Sequence, residues 1–185
     1  MPQTAAQPAQ YLADYRPFPF ILSETRLDFT LDPKATLVRA VLSLTPRDPD
    51  AAEDLLLDGG AGLDLLSLAI DGAAPDPTHV TRETEALRIA AAALPRAPFT
   101  LETEVRIAPA SNTAFEGLYM SGGMYCTQCE AEGFRHITFY PDRPDVMATF
   151  RVTIRSDMPV LLSNGNPARQ ESGFAEWHDP WPKPS

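Results

Sequence analysis

Leu27-Asp28-Phe29-Thr30-Leu31-Asp32-Pro33-Lys34-Ala35-Thr36-Leu37-Val38-Arg39-Ala40-Val41-Leu42-Ser43-Leu44 is the stretch that decides the fold class. Leu27, Phe29 and Leu31 alternate with Asp28 and Thr30, and Arg26 extends the polar set upstream. An extended segment with that pattern is apolar on one face and wet on the other. Asp32-Pro33-Lys34 supplies turn chemistry, and Thr36 onward alternates again with Val38, Ala40, Leu42 and Leu44 inward. A period of two on both sides of a proline turn predicts a β-hairpin.

The same signature recurs along the chain. Residues 54–57 are apolar before Asp58-Gly59-Gly60, and 63–70 before Asp71-Gly72. Residues 79–82 and 86–90 follow the turn at Pro75 and Pro77, and Phe99–Ile107 alternates cleanly. Residues 90–94 have helical propensity, but Pro95 and Pro98 leave room for a short turn at most. Residues 148–155 alternate through Phe150, Val152 and Ile154. Residues 160–162 predict another strand, Ser163-Asn164-Gly165-Asn166 a type I′ hairpin turn, and 174–178 the strand that pairs back. Residues 1–19 read as a loose arm broken by Pro2, Pro8, Pro17 and Pro19, with Tyr11, Tyr15 and Phe18 available to pin it. Residues 179–185 carry Pro180, Pro182 and Pro184 and read as a linker at a domain boundary. The expectation is an all-β, layered sandwich over residues 20–178 with short helical turns at most.

A chain of 185 residues suits one domain and buries about 70% of its unfolded surface without help from disulfides or metals. Its formal charge of −10 argues against nucleic-acid and anionic-membrane partners, which attract clustered Lys and Arg. Residues 1–10 hold no basic residue and no apolar run, and no stretch approaches the roughly eighteen apolar residues of a spanning helix. The expected location is the cytoplasm.

Chemistry-bearing residues gather in 126–145. Cys126 and Cys129 form a C-x-x-C pair, which as a redox site wants a helix N-terminus and as a zinc site wants further ligands. His79, His136 and His178 are scattered without ligand spacing, so the cysteines read as reduced thiols packed in a loop and no metal ligand is expected. No H-E-x-x-H, G-x-S-x-G, G-x-G-x-x-G or P-loop occurs, and no catalytic residue is expected within this chain. Gln128 and Glu130 lie two apart and point the same way in an extended segment. A carboxylate beside an amide carbonyl makes an acceptor corner suited to a primary ammonium. From spacing alone, a solvated Glu130 or an ion pair with Arg135 or Arg143 remains open.

The block Cys126-Thr127-Gln128-Cys129-Glu130-Ala131-Glu132-Gly133-Phe134-Arg135-His136-Ile137-Thr138, followed by Asp142-Arg143-Pro144-Asp145-Val146, resembles the N-terminal domain of the bacterial aminopeptidase N family, zinc-dependent gluzincins. The likeness takes in Asn112-Thr113-Ala114 and Glu116-Gly117-Leu118-Tyr119 upstream. Downstream it includes Leu161-Leu162-Ser163-Asn164-Gly165-Asn166 and Asp179-Pro180-Trp181-Pro182-Lys183-Pro184. Fainter similarity reaches Asp14-Tyr15-Arg16 and Leu27-Asp28-Phe29.

The resemblance implies a saddle-like, β-rich domain partnered by a thermolysin-like catalytic domain of the same polypeptide. It implies that Gln128 and Glu130 line the cleft and hold the α-amino group of a peptide substrate. Glu132, Arg135, His136, Arg143 and Asp145 would support them. The family's H-E-x-x-H zinc site and Gly-x-Met-Glu-Asn motif are absent here. The resemblance therefore implies no cofactor in this chain, zinc in the full-length enzyme, and no activity for this chain alone. The other reading is a free-standing β-sandwich that binds peptide N-termini or another protein without catalysis.

Overall fold

A computed structural model of the protein describes residues 11–185, so the part of the expected arm in residues 1–10 lies outside the described residues. Twelve strands follow in order: β1 (Phe20–Thr30), β2 (Thr36–Pro46), β3 (Leu55–Asp58), β4 (Asp64–Ile70), β5 (Val80–Arg82), β6 (Ala86–Ile89), β7 (Phe99–Ile107), β8 (Gly117–Ser121), β9 (Met124–Gln128), β10 (Ala148–Arg155), β11 (Asn166–Glu171) and β12 (Phe174–Lys183). The helical segments among the described residues are three-residue 3-10 turns, one of them over Ala91–Ala93 where the prolines leave space for no more. None is long and apolar enough to cross a membrane.

A seven-stranded sheet runs β11-β12-β10-β1-β2-β7-β4. Its nucleus is the β1–β2 hairpin, in register with Leu27 opposite Ala40 and Phe29 opposite Val38. Asp32 closes the turn by accepting the Lys34 and Ala35 N–H groups at 2.8 and 2.9 Å, an Asx turn of the kind the sequence indicates. A three-stranded sheet, β3-β6-β5, and the β8–β9 hairpin complete the sheets of the described residues. Leu55, Leu57, Leu87 and Ile89 from the small sheet share one core with Val38, Ala40, Leu42, Leu44, Leu101 and Val105 from the large one. The opposite face of the large sheet carries exposed ion pairs, among them Arg151 with Glu24 at 3.1 Å and Arg39 with Glu102 at 2.6 Å.

Three expectations need correction. Residues 160–162 form no strand, and Val160 and Leu162 are exposed. The hairpin there is β11–β12, turned at Ser172-Gly173, where Gly173 takes φ +77°. Asn164-Gly165 instead lets the backbone pass close to β12, since a Cβ on Gly165 would stand 2.5 Å from the His178 carbonyl oxygen. Finally, residues 179–183 are strand and not linker, because β12 pairs with β10 through Asp179 opposite Phe150 and Lys183 opposite Ala148. The prolines fit because β11 pairs no further than His178, leaving that side of β12 free, and a register shift between Ala148 and Phe150 absorbs the irregularity.

The described part of the arm is tied down at Asp145. Arg143 grips this carboxylate with Nε at 2.8 Å and a second guanidinium nitrogen at 2.9 Å. Tyr15 Oη donates to it at 2.9 Å and the Phe18 N–H at 3.4 Å, while Arg143 also donates to the Arg16 carbonyl at 2.8 Å. Phe18 is buried against Phe20, with ring centroids 5.8 Å apart. Desolvation works against a charged Asp145, but the hydrogen bonds from Arg143 and Tyr15 outweigh it and hold its carboxyl below the ordinary range.

Asp145→Asn should release the 15–18 segment, seen as faster amide exchange there, with a stability loss of about 1–3 kcal/mol at neutral pH. Because the folded-state pKa is lowered, the Asp145 contribution is complete above the ordinary carboxylate value. It fades as pH falls through the lowered one, so the difference between variant and wild type should shrink in acid. A Cβ on Gly59 would meet the fully buried Phe139 ring at 2.3 Å. Gly59→Ala should therefore cost about 1–3 kcal/mol in a denaturant melt, with no loss expected for Gly62→Ala, which meets open space.

Candidate functional site

The site is built on β9 and the segment that returns from it to β10. β8 and β9 are joined by Gly122-Gly123 at φ +56° and +83°, the left-handed pair a tight hairpin requires. Gly117 stands opposite Gln128 and Tyr119 opposite Cys126, so these side-chain positions share one face of the hairpin. Leu118 turns the other way into the core, and Tyr125 packs against it.

After Gln128 the chain turns sharply. Gly133 donates its N–H to the Cys129 carbonyl at 2.7 Å, and a Cβ on Gly133 would lie 2.3 Å from the Gln128 oxygen. Only glycine permits that approach. Glu132 adopts φ +80°, and the Glu130–Ala131 peptide is cis. Gln128 donates from Nε2 to the Glu130 carbonyl at 3.0 Å, which leaves its Oε1 as an acceptor. The Glu130 side chain is exposed at the tip of this turn.

Arg135 fastens the returning strand of chain. Its N–H and its Nε both donate to one oxygen of Asp142 at 3.1 Å, and Nη2 donates to the Asp142 carbonyl at 3.1 Å. Nη1 lies 3.7 Å from both Asp58 and Glu132. Asp58 in turn accepts the Asp142 N–H at 3.1 Å. Desolvation raises the Asp58 carboxyl above its ordinary value, the attraction of Arg135 notwithstanding. The neighbouring Phe134 ring is buried against Tyr140 at 4.6 Å. His136 meets Glu116 at 3.3 Å.

These residues border an open pocket of about 230 Å³ lined by Gly59, Gly60, Glu85, Glu116, Ala131, Glu132, Arg135 and His136. The Gly60 N–H donates to the Arg135 carbonyl at 2.8 Å, and a Cβ there would strike His136 Nδ1 at 2.3 Å. The Gly59-Gly60 turn thus forms the wall opposite the Glu132 turn.

Glu132, Arg135 and His136 therefore stand together at this pocket beside the Gln128–Glu130 turn. Arg143 and Asp145 do not; they serve the 15–18 segment. Neither arginine pairs with Glu130. Cys126 and Cys129 are free thiols, and burial with the nearby Asp142 charge pushes Cys129 up to about 11. Among the described residues no three His, Cys, Asp or Glu side chains are placed to hold a metal ion. Asp58, Glu85 and Asp142 were not singled out from the sequence as site residues. Asp58-Gly59-Gly60 reads there as a turn, and nothing local marks its approach to a segment about eighty residues away.

Residues 67–184 match the Peptidase M1 N-terminal domain. The chain is 52% identical to aminopeptidase N of Caulobacter vibrioides over 99% of its own length, and 42% identical to aminopeptidase N of Escherichia coli over 95%. It spans about a fifth of each, 21% and 20%. Among solved structures, Legionella pneumophila aminopeptidase A in complex with aspartic acid aligns with a TM-score of 0.82 at 30% identity, covering 95% of this chain and 21% of that one. Yeast LTA4 hydrolase shares the fold at a TM-score of 0.73 and 23% identity, covering 90% of this chain and 27% of that one. The fold and these relatives agree: the chain belongs to the Peptidase M1 N-terminal domain family.

Proposed function

We propose that this domain supplies the amine-binding end of an aminopeptidase cleft, with Gln128 and Glu130 receiving the free α-amino group of a peptide. The observation that carries the reading is the Gln128 Nε2 hydrogen bond to the Glu130 carbonyl at 3.0 Å. It turns the amide nitrogen toward the Glu130 backbone and leaves Oε1 free to accept, on the same turn that carries the Glu130 carboxylate. A primary ammonium has three N–H groups to place and no acceptor to offer, so an acceptor-only corner suits it and an acylated terminus does not.

In this reading the catalytic domain of the same polypeptide, in the part of the relatives' length beyond this fifth, provides the hydrolytic machinery. Zinc there supplies Lewis-acid activation of the scissile carbonyl and of water. What this chain does is measure. A carboxylate fixed at one end of the cleft sets the distance from a charged N-terminus to the reacting carbon, which restricts cleavage to the first peptide bond. Glu132 and Arg135 hold the turn, and Arg143 and Asp145 hold the segment leading into β1.

Glu130→Ala in the full-length enzyme should lower kcat/KM for unblocked peptides by roughly 30- to several-thousand-fold, the scale of about 2–5 kcal/mol for losing one member of a desolvated charge pair. Bound zinc, measured by atomic absorption, should stay stoichiometric. Near-wild-type kcat/KM would sink the assignment. Gln128→Ala should act in the same direction but less, since it removes a neutral acceptor; paired kinetics on the two variants give the order.

A further inference from the structure

We propose that Asp142 is a positioning residue for the amine-binding pair, acting on Gln128 and Glu130 through Arg135. The inference rests on the function proposed above.

The Gln128–Glu130 turn has two anchors. On one side Gln128 is held in β9 opposite Gly117. On the other the chain leaves the turn through Gly133 and Phe134 and is caught at Arg135. Glu130 lies between, exposed, its backbone carbonyl accepting from Gln128 Nε2. The course of the backbone that carries its carboxylate is therefore set by the two anchors.

Asp142 makes the second anchor. Its side chain is only 6% exposed, and one of its oxygens accepts both the backbone N–H and the Nε of Arg135. The other oxygen accepts from Ser185 Oγ at 2.7 Å. Its carbonyl takes a third Arg135 donor, and its N–H is fixed by Asp58. Asp58 is itself locked to the segment by backbone hydrogen bonds in both directions with Tyr140, 2.9 and 3.0 Å. An arginine fork held through backbone and side chain to one carboxylate has little freedom to rotate or slide. A carboxylate that must meet an ammonium within a fraction of an ångström needs such support. Arg135 also reaches Glu132 at 3.7 Å, so the anchor touches the turn directly.

The test uses the full-length enzyme and two inhibitors, leucine hydroxamate and its des-amino counterpart 4-methylpentanohydroxamic acid. Both offer the same hydroxamate and side chain, and only the first carries the amine. Asp142→Ala should weaken leucine hydroxamate by about tenfold or more, the scale of a lost hydrogen bond to a charged group. It should leave the des-amino compound within about twofold, within the scatter of a typical neutral substitution. Asp142→Asn keeps an acceptor for Arg135 and should recover most of the loss. If Asp142→Ala does not fold, Arg135→Gln reads the same link and should reproduce the selective loss. Equal weakening of both inhibitors, or of neither, overturns the proposal. Glu130→Ala run in parallel separates the two levels. If it leaves the ratio of the two affinities unchanged, the amine-binding reading itself fails. If it collapses the ratio and Asp142→Ala does not, only the positioning role fails.

Discussion

Tyr140 is the point on which the parts of the molecule depend. Its backbone forms a bridge with Asp58 at the end of β3, joining the small sheet to the segment that follows the site. Its ring packs against both Phe134 and Phe150, which belong to the site segment and to β10. Its hydroxyl, fully buried, is within 3.2 Å of Thr25 on β1, and burial pushes the phenol up so that it stays neutral. A buried hydroxyl without a partner is costly, and this one has a single partner in the large sheet. Backbone, ring and hydroxyl of one residue thus tie both sheets and the site together.

That arrangement explains where precision is placed. The large sheet's outer face is held by exposed ion pairs, each worth little and easily screened. At the base of the site one polar set, Asp58–Asp142–Arg135, is instead partly shielded and mutually satisfied. Glycines do the complementary work. Gly59 and Gly60 let the Phe139 and His136 side chains, and Gly133 lets the Gln128 backbone, approach within distances that a Cβ would forbid. The result is a turn whose tip is open but whose base is rigid.

The central strands were legible in the sequence because burial on one face and solvent on the other stamp a period of two onto them. β1, β2 and β7 carry that stamp. β11 does not, since all six of its residues are exposed, and a strand that buries nothing leaves no pattern. Prolines disguised the end of β12 because their effect depends on whether a neighbouring strand claims the missing N–H. The site divided in the same way. Gln128, Glu130, Glu132 and Arg135 sit within one short block and were readable through its resemblance to a family. Asp58, Gly59 and Gly60 come from β3 and its turn, and only the folded chain reveals what they face.

The parallel pairing of β1 with β10 has a temporal meaning. Glu24 lies beside Thr149 and Thr30 beside Arg155, so the first strand waits for a partner more than a hundred residues further along the chain. On a ribosome, β1 and β2 can pair early, while the other edge of β1 stays open until β10 has emerged. The turn bearing Gln128 and Glu130 lies inside that long loop. It is made before β10. An incompletely synthesised chain would therefore carry Gln128 and Glu130 before the large sheet beside them is complete.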